Sequence, residues 1–221
     1  MTCVVASLPV RSIAELNERM KRLRDTDLIE LRLDYMHELP PVDEFIKKVE
    51  DFRDKIIVTV RDVNEGGVNK ISESSKADFL KVLYKEGIIY DVEVRFLKRN
   101  IVPYENVIVS IHYFDYLPTF KEVRNNLSSY ANRALVKLAV IGTGKYKQLL
   151  AKVLEEFPNS AVMPMGVNPL ERIAFSILGS KLIYAHIGEE TAKGQMYYKD
   201  VKNILSYFNV ECEKLFPNPR R

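Results

Sequence analysis

Residues 133–140 read RALVKLAV. Apart from Arg133 and Lys137 the run is apolar, as in a strand buried on both faces. An ammonium inside such a run is costly unless it is paired or used. Successive side chains of a strand point to opposite faces, so Lys137 opposes Val136 and Leu138. The fold must therefore supply a face that accepts it.

Outward from this stretch, short Val- and Ile-rich runs alternate with segments of helical period. The predicted strands are 3–8, 28–34, 55–61, 88–94, 106–113, 134–140, 161–165 and 181–187. Helices are predicted near 12–24, 42–53, 74–86, 118–130, 145–156, 169–179 and 199–208, with a short connection after 94. Strands alternating with helices call for a parallel sheet, and eight of them call for a (β/α)8 barrel in one domain, 1–215, with a frayed tail at 216–221. The alternative, an open doubly wound sheet, needs a Gly-rich first turn, and SLPVRS is not one.

Parity then sorts the strands. Ser7 opposes Val4 and Ala6; Glu30, Arg32 and Asp34 oppose Ile29, Leu31 and Leu33; Thr59 and Arg61 oppose Val58 and Val60. Asp91 and Glu93 oppose Val92 and Val94, and Ser110 and His112 oppose Val109 and Ile111. Six strands in a row thus put polar groups on one face, late in the strand, where a barrel opens at its carboxyl-end mouth. One reading is a structural salt-bridge network of Glu30, Arg32, Arg61, Glu93 and Lys137. The functional reading is preferred, because a network alone needs no His112 beside Lys137.

A lysine in a semi-apolar pocket has its ammonium disfavoured, and the neutral amine condenses with a ketone or aldehyde. The iminium acidifies the neighbouring carbon. Adjacent strands lie about 4.8 Å apart, so His112 can act on the same small molecule as general acid and base. The loop RDVNEGG (61–67) carries Glu65, and its glycines allow a tight turn by which this carboxylate reaches into the mouth and orients His112; from spacing alone a solvated loop glutamate is the favoured reading.

The 221 residues are 47% hydrophobic and carry a net charge of +3, with both signs mixed, which leaves no nucleic-acid patch. No apolar run approaches the roughly 20 residues of a membrane span, and the N-terminus lacks a basic leader, so a soluble cytoplasmic protein is expected. Cys3 and Cys212 form no CxxC pair, so neither a disulfide framework nor a thiolate metal site is expected, and a reducing compartment fits. His37 and His186 read as surface or packing residues. Ile204, Leu205, Tyr207 and Phe208 read as core or a dimer face, with core the favoured reading.

ELRLD (30–34), VTVRDVNEGG (58–67), VSIHYF (109–114), VKLAV (136–140), ER (171–172) with LGS (178–180), and TAKGQ (191–195) stand in the order seen in type I 3-dehydroquinate dehydratases. The resemblance covers nearly the whole chain. It implies dehydration of 3-dehydroquinate to 3-dehydroshikimate in the shikimate pathway. Lys137 would form the imine, His112 would serve as acid and base, and Glu65 would orient His112. Glu30, Arg32 and Arg61 would hold the ring hydroxyls, Arg172 the carboxylate, and Ser7, Thr191 and Gln195 would complete the substrate site. Thr191 stands where bacterial relatives commonly carry serine, and GVNPLE before Arg172 departs from the family pattern. The resemblance implies no metal or organic cofactor and a homodimer.

A class I aldolase or transaldolase shares the lysine but needs a phosphate site after strands seven and eight. IGEETAKGQ (187–195) is acidic there, which argues against phosphate. A non-catalytic ligand-binding barrel would need no Lys137, His112 and Glu65 together.

Overall fold

The computed structural model describes residues 2–14 and 16–216. Eight parallel strands follow one another around a barrel: β1 Cys3–Pro9, β2 Leu28–Arg32, β3 Ile56–Thr59, β4 Ile89–Glu93, β5 Ile108–Tyr113, β6 Leu135–Ile141, β7 Ser160–Met165 and β8 Leu182–His186. Neighbours in sequence pair directly, and β8 pairs with β1. At the last seam, between β7 and β8, Lys181 N–H donates to the Ser160 carbonyl (2.9 Å) and Val162 N–H to Ser180 Oγ (3.0 Å).

The outer layer is α1 Leu16–Lys21, α2 Val42–Val49, α3 Glu73–Lys85, α4 Val94–Leu97, α5 Phe120–Leu127, α6 Tyr146–Glu156, α7 Leu170–Ile177 and α8 Tyr198–Tyr207. All eight strands fall where the sequence places them, and α4 is the short connection after β4. β2 and β3 stop two residues short of expectation, because 33–35 and 63–65 form 3₁₀ turns at the barrel mouth.

Two apolar layers result from the alternation. Val4, Ala6, Leu8, Val58, Val92, Val109, Val136 and Leu138 pack outward against the helices. Val5, Ile57, Ile108, Leu135 and Leu182 fill the lower interior. On the interior face the strands start apolar and turn polar two residues later, as in Val5–Ser7, Ile57–Thr59, Ile108–Ser110 and Leu135–Lys137.

Two expectations are corrected here. Cys3 and Cys212 are disulfide-bonded, 209 residues apart in sequence. Barrel closure brings the start of β1 and the segment after α8 to the same end, a proximity that no local spacing records. Beyond the bond, Leu215 and Phe216 pack with Leu28 and Ile89 against the lower interior, so this segment covers the amino-end mouth. A crosslink over so long a loop removes denatured-state entropy worth about 5 kcal/mol in the chain-entropy picture. Of the tail predicted to fray, Pro217–Arg221 lie outside the described residues. The second correction concerns the end of α8. Val201 and Leu205 face the barrel, whereas Tyr207 is 86% exposed and Phe208 56%. These two lie in and just beyond its last turn, turned away from the sheet.

Candidate active site

A cavity of about 330 Å³ opens at the carboxyl ends of the strands. Nine of the ten predicted site residues line it, and the tenth, Ser7, is hydrogen-bonded to one of them, Glu30. Lys137 is paired in register with Ser110, and His112 with Ala139 two residues further up. Amine and imidazole therefore enter the cavity from adjacent strands.

Lys137 is 5% exposed. Its Nζ lies 2.9 Å from Asp91 Oδ2 and 3.9 Å from the centre of the Tyr184 ring. Asp91 does not belong to Lys137 alone: Ser110 Oγ donates to it at 2.5 Å, and Arg61 Nη2 pairs with it at 2.8 Å without hydrogen-bond alignment. Burial opposes the Asp91 charge, but Arg61 and Lys137 outweigh it and hold the carboxyl far below the usual range. Burial also lowers the Lys137 pKa; Asp91 opposes this and Arg61 adds to it. The net direction is down, so the amine gives up its proton more readily than a free lysine despite the ion pair.

Glu65 is buried, not solvated. The turn Val63–Glu65 folds back because Asp62 caps it, accepting from Asn64 N–H at 2.8 Å, and because two glycines follow. Gly66 has φ +86°, and a Cβ on it would meet Phe114 at 2.8 Å. A Cβ on Gly67 would come within 2.1 Å of the Arg61 carbonyl. The EGG sequence is thus dictated by a turn that drives Glu65 inward. There Glu65 Oε2 accepts from the His112 backbone N–H (3.1 Å) and from Nδ1 (2.9 Å). A carboxylate on Nδ1 puts the proton there and leaves the Nε2 lone pair free. Burial, Arg61 and Lys137 push the His112 pKa well below its usual value, so the ring is neutral at pH 7.

Burial raises the Glu65 pKa to about 7, with Arg61 opposing. An acid whose folded pKa lies above its unfolded value costs stability above the unfolded pKa, and the cost grows until the folded pKa is passed. Glu65→Gln removes that cost. Its stability advantage over the parent should grow from near zero at pH 4.5 to about 3 kcal/mol above pH 7, while activity falls. Urea melts at both pH values measure this; an equal gap at the two would refute it.

The other predicted residues divide by partner. Glu30 accepts from Ser7 Oγ and Thr59 Oγ1, both at 2.8 Å, and forms no ion pair with Arg32. Arg32 is instead held bidentately by Asp34 at 2.8 Å. Gln195 folds its loop through Oε1, which accepts from Thr191 N–H at 2.8 Å, and its Nε2 donates to Thr191 Oγ1 at 3.1 Å. Arg172 is buried with only backbone carbonyls as partners: Pro164 at 3.1 Å, Lys193 at 3.0 Å and Tyr184 at 3.4 Å. Burial brings its pKa down to about 10. A buried guanidinium with no carboxylate in ion-pair contact, Glu190 acting on it only from a distance, is the group in this cavity best suited to an anionic ligand.

The sequence reading missed Met163, Met165 and Tyr184 on the interior face and Phe114 over the mouth. The alternation in AVMPM and KLIYAHI carried the first three. Asp91 is placed by the alternation on the right face without a partner, whereas Glu93 stands in the salt-bridge reading and does pair with Arg61. Lys76 of α3, which is buried against Glu93, escaped notice altogether. Its signal was a lysine three and four residues before Phe79 and Leu80 on an apolar stripe.

A parallel barrel with an amine, an imidazole and a guanidinium gathered in a cavity at its carboxyl-end mouth has the architecture of a barrel enzyme acting on a small molecule. The comparisons with known proteins are specific. Residues 3–211 match the Type I 3-dehydroquinase family model. A 3-dehydroquinate dehydratase of Sulfolobus acidocaldarius is 49% identical over 92% of both chains. One of Saccharolobus solfataricus is 43% identical, covering 93% of this chain and 94% of that protein. The crystal structure of the Geobacillus kaustophilus 3-dehydroquinate dehydratase superposes with a TM-score of 0.74 at 22% identity, covering 96% of this chain and 93% of that one. The chain belongs to the type I 3-dehydroquinase family, and it is a hydro-lyase of aromatic biosynthesis.

Proposed function

We propose that this chain dehydrates 3-dehydroquinate to 3-dehydroshikimate through an imine on Lys137. The observation that carries the reading is the charge balance around the amine. Asp91 and Glu93 are matched by the cations of Arg61 and Lys76, so Lys137 can give up its proton without stranding a carboxylate. Its lone pair adds to the ketone carbon, and the carbonyl oxygen leaves as water, giving the iminium. His112 Nε2 removes a proton from the neighbouring carbon, and the C–H electrons move into the iminium to form an enamine. The enamine electrons return and expel the hydroxyl one carbon further on, protonated by the His112 imidazolium. Water then hydrolyses the imine and frees Lys137. Glu65 fixes the His112 tautomer and stabilises the transient imidazolium. Arg172 takes the substrate carboxylate, while Glu30, Arg32, Arg61, Ser7, Thr191 and Gln195 hold the hydroxyls and the loop.

Wild-type enzyme treated with 3-dehydroquinate and borohydride should gain one covalent adduct on the peptide containing Lys137, and the conjugated product should appear by ultraviolet absorbance. An active enzyme that gives no adduct would remove the imine. With this reading we propose a cytoplasmic homodimer; exposed Ile177, Leu178 and Phe208 at the ends of α7 and α8 offer apolar surface to a second copy. A one-chain mass by sedimentation equilibrium would remove the dimer.

A further inference from the structure

Among the described residues only two lysines are buried, Lys137 at 5% exposure and Lys76 at 4%. They lie at opposite ends of one chain of alternating charge. Lys76 Nζ is 2.5 Å from Glu93 Oε2, and Glu93 Oε1 is 3.0 Å from Arg61 Nη1. Arg61 Nη2 is 2.8 Å from Asp91 Oδ1, and Asp91 Oδ2 is 2.9 Å from Lys137 Nζ. Lys76 stands one turn into α3, outside the cavity, with its ammonium also over the Phe96 ring at 4.5 Å.

We infer that Lys76 is a positioning residue for the reaction: by matching Glu93 it leaves Arg61 free to match Asp91, so that Lys137 is not needed as an ammonium. The inference rests on the imine reading and adds a residue to it. Two carboxylates and two cations balance without Lys137. Delete Lys76 and the same space holds Asp91, Glu93 and Arg61, with one negative charge in excess. In a low-dielectric interior that excess is relieved by a proton, and the Lys137 amine is a site already hydrogen-bonded to Asp91. The active nucleophile is then withdrawn at neutral pH. The other titratable or charged groups turned toward this cavity are Glu30 and Arg32 of β2, Glu65 after β3, His112 of β5, Arg172 of α7, Tyr184 of β8 and Lys193 of the last loop. None of them contacts Lys76, and Glu65, which titrates near 7, does so in parent and variant alike; on the outer side the exposed Glu73 feels Lys76 and the exposed Arg99 feels Glu93, and both stay in place in every variant.

The test reads Lys137 directly, without substrate. Trace acetic anhydride labels only the neutral amine, and mass spectrometry of the Lys137 peptide across pH gives its titration midpoint. Lys76→Met should raise the midpoint by about one pH unit, with kcat/KM about ten-fold lower below it and recovering at alkaline pH. Lys76→Arg keeps the cation and should match the parent. Lys76→Met/Glu93→Gln removes both charges of the outer pair and should return the midpoint to the parent value. If Lys76→Met does not fold, Glu93→Gln alone should move the midpoint down, because it leaves a cation in excess. An unmoved midpoint in Lys76→Met, or a double variant shifted as far as the single one, overturns the inference; a purely structural role would lower the rate equally at every pH. Wild-type borohydride trapping separates the two claims. A trapped wild type with an unmoved Lys76→Met sinks the inference alone, whereas an untrapped wild type sinks the imine reading and the inference with it.

Discussion

Lys137→Ala is expected to lower turnover of 3-dehydroquinate on the order of 10⁴-fold or more, and to abolish the borohydride adduct. The size follows from what is lost. Without the amine there is no iminium, so a proton next to a plain ketone must be removed with no covalent electron sink. The rest of the cavity survives. Arg172, Glu30 and Gln195 have no hydrogen bond to Lys137, and their partners are other side chains or backbone. Substrate affinity should therefore change far less than turnover. Asp91 keeps Arg61 and Ser110, so the variant should also fold. Ultraviolet assay of the variant, beside mass spectrometry of borohydride-treated protein, checks this. An adduct retained in the variant would move the imine to another lysine.

His112→Ala is expected to cost roughly 10³-fold in turnover while keeping the adduct. The two variants should thus separate the two chemical roles. The amine of Lys137 still condenses with the ketone, because Asp91 and Arg61 set its charge state and His112 does not bond to it. The following proton transfer lacks its base, so the imine should accumulate and be trapped without product. The pair Glu65–His112 also predicts the protonation state the parent needs. His112 is neutral at pH 7 because burial and the cations Arg61 and Lys137 oppose the imidazolium. Unchanged turnover in His112→Ala would assign the base to another group.

The barrel was legible because its signal is local. Period-two alternation, eight times repeated, needs no knowledge of distant residues, and the interior face could be marked residue by residue from Ser7 to Lys137. The site was legible in part for the same reason: strands that pair in order bring their late polar residues to one mouth. Glu65 shows where locality ends. Four residues from Arg61 in a loop, it looked solvated, and only the cap of Asp62 with the φ of Gly66 turns it under His112.

By itself, then, the sequence determined the order of elements, the face each strand's polar groups occupy and the strand residues that meet at the mouth, since all three follow from alternation and chain order; Glu65, Arg172, Thr191 and Gln195 joined them only through the family resemblance. The tertiary structure alone decided which charge answers which. Asp91 went to Lys137 and Arg61 rather than Glu30 to Arg32, Lys76 reached in from a helix to meet Glu93, and Cys3 found Cys212 across 209 residues. Such pairings depend on distances of about 3 Å between side chains remote in sequence, and those distances exist only once the barrel has closed.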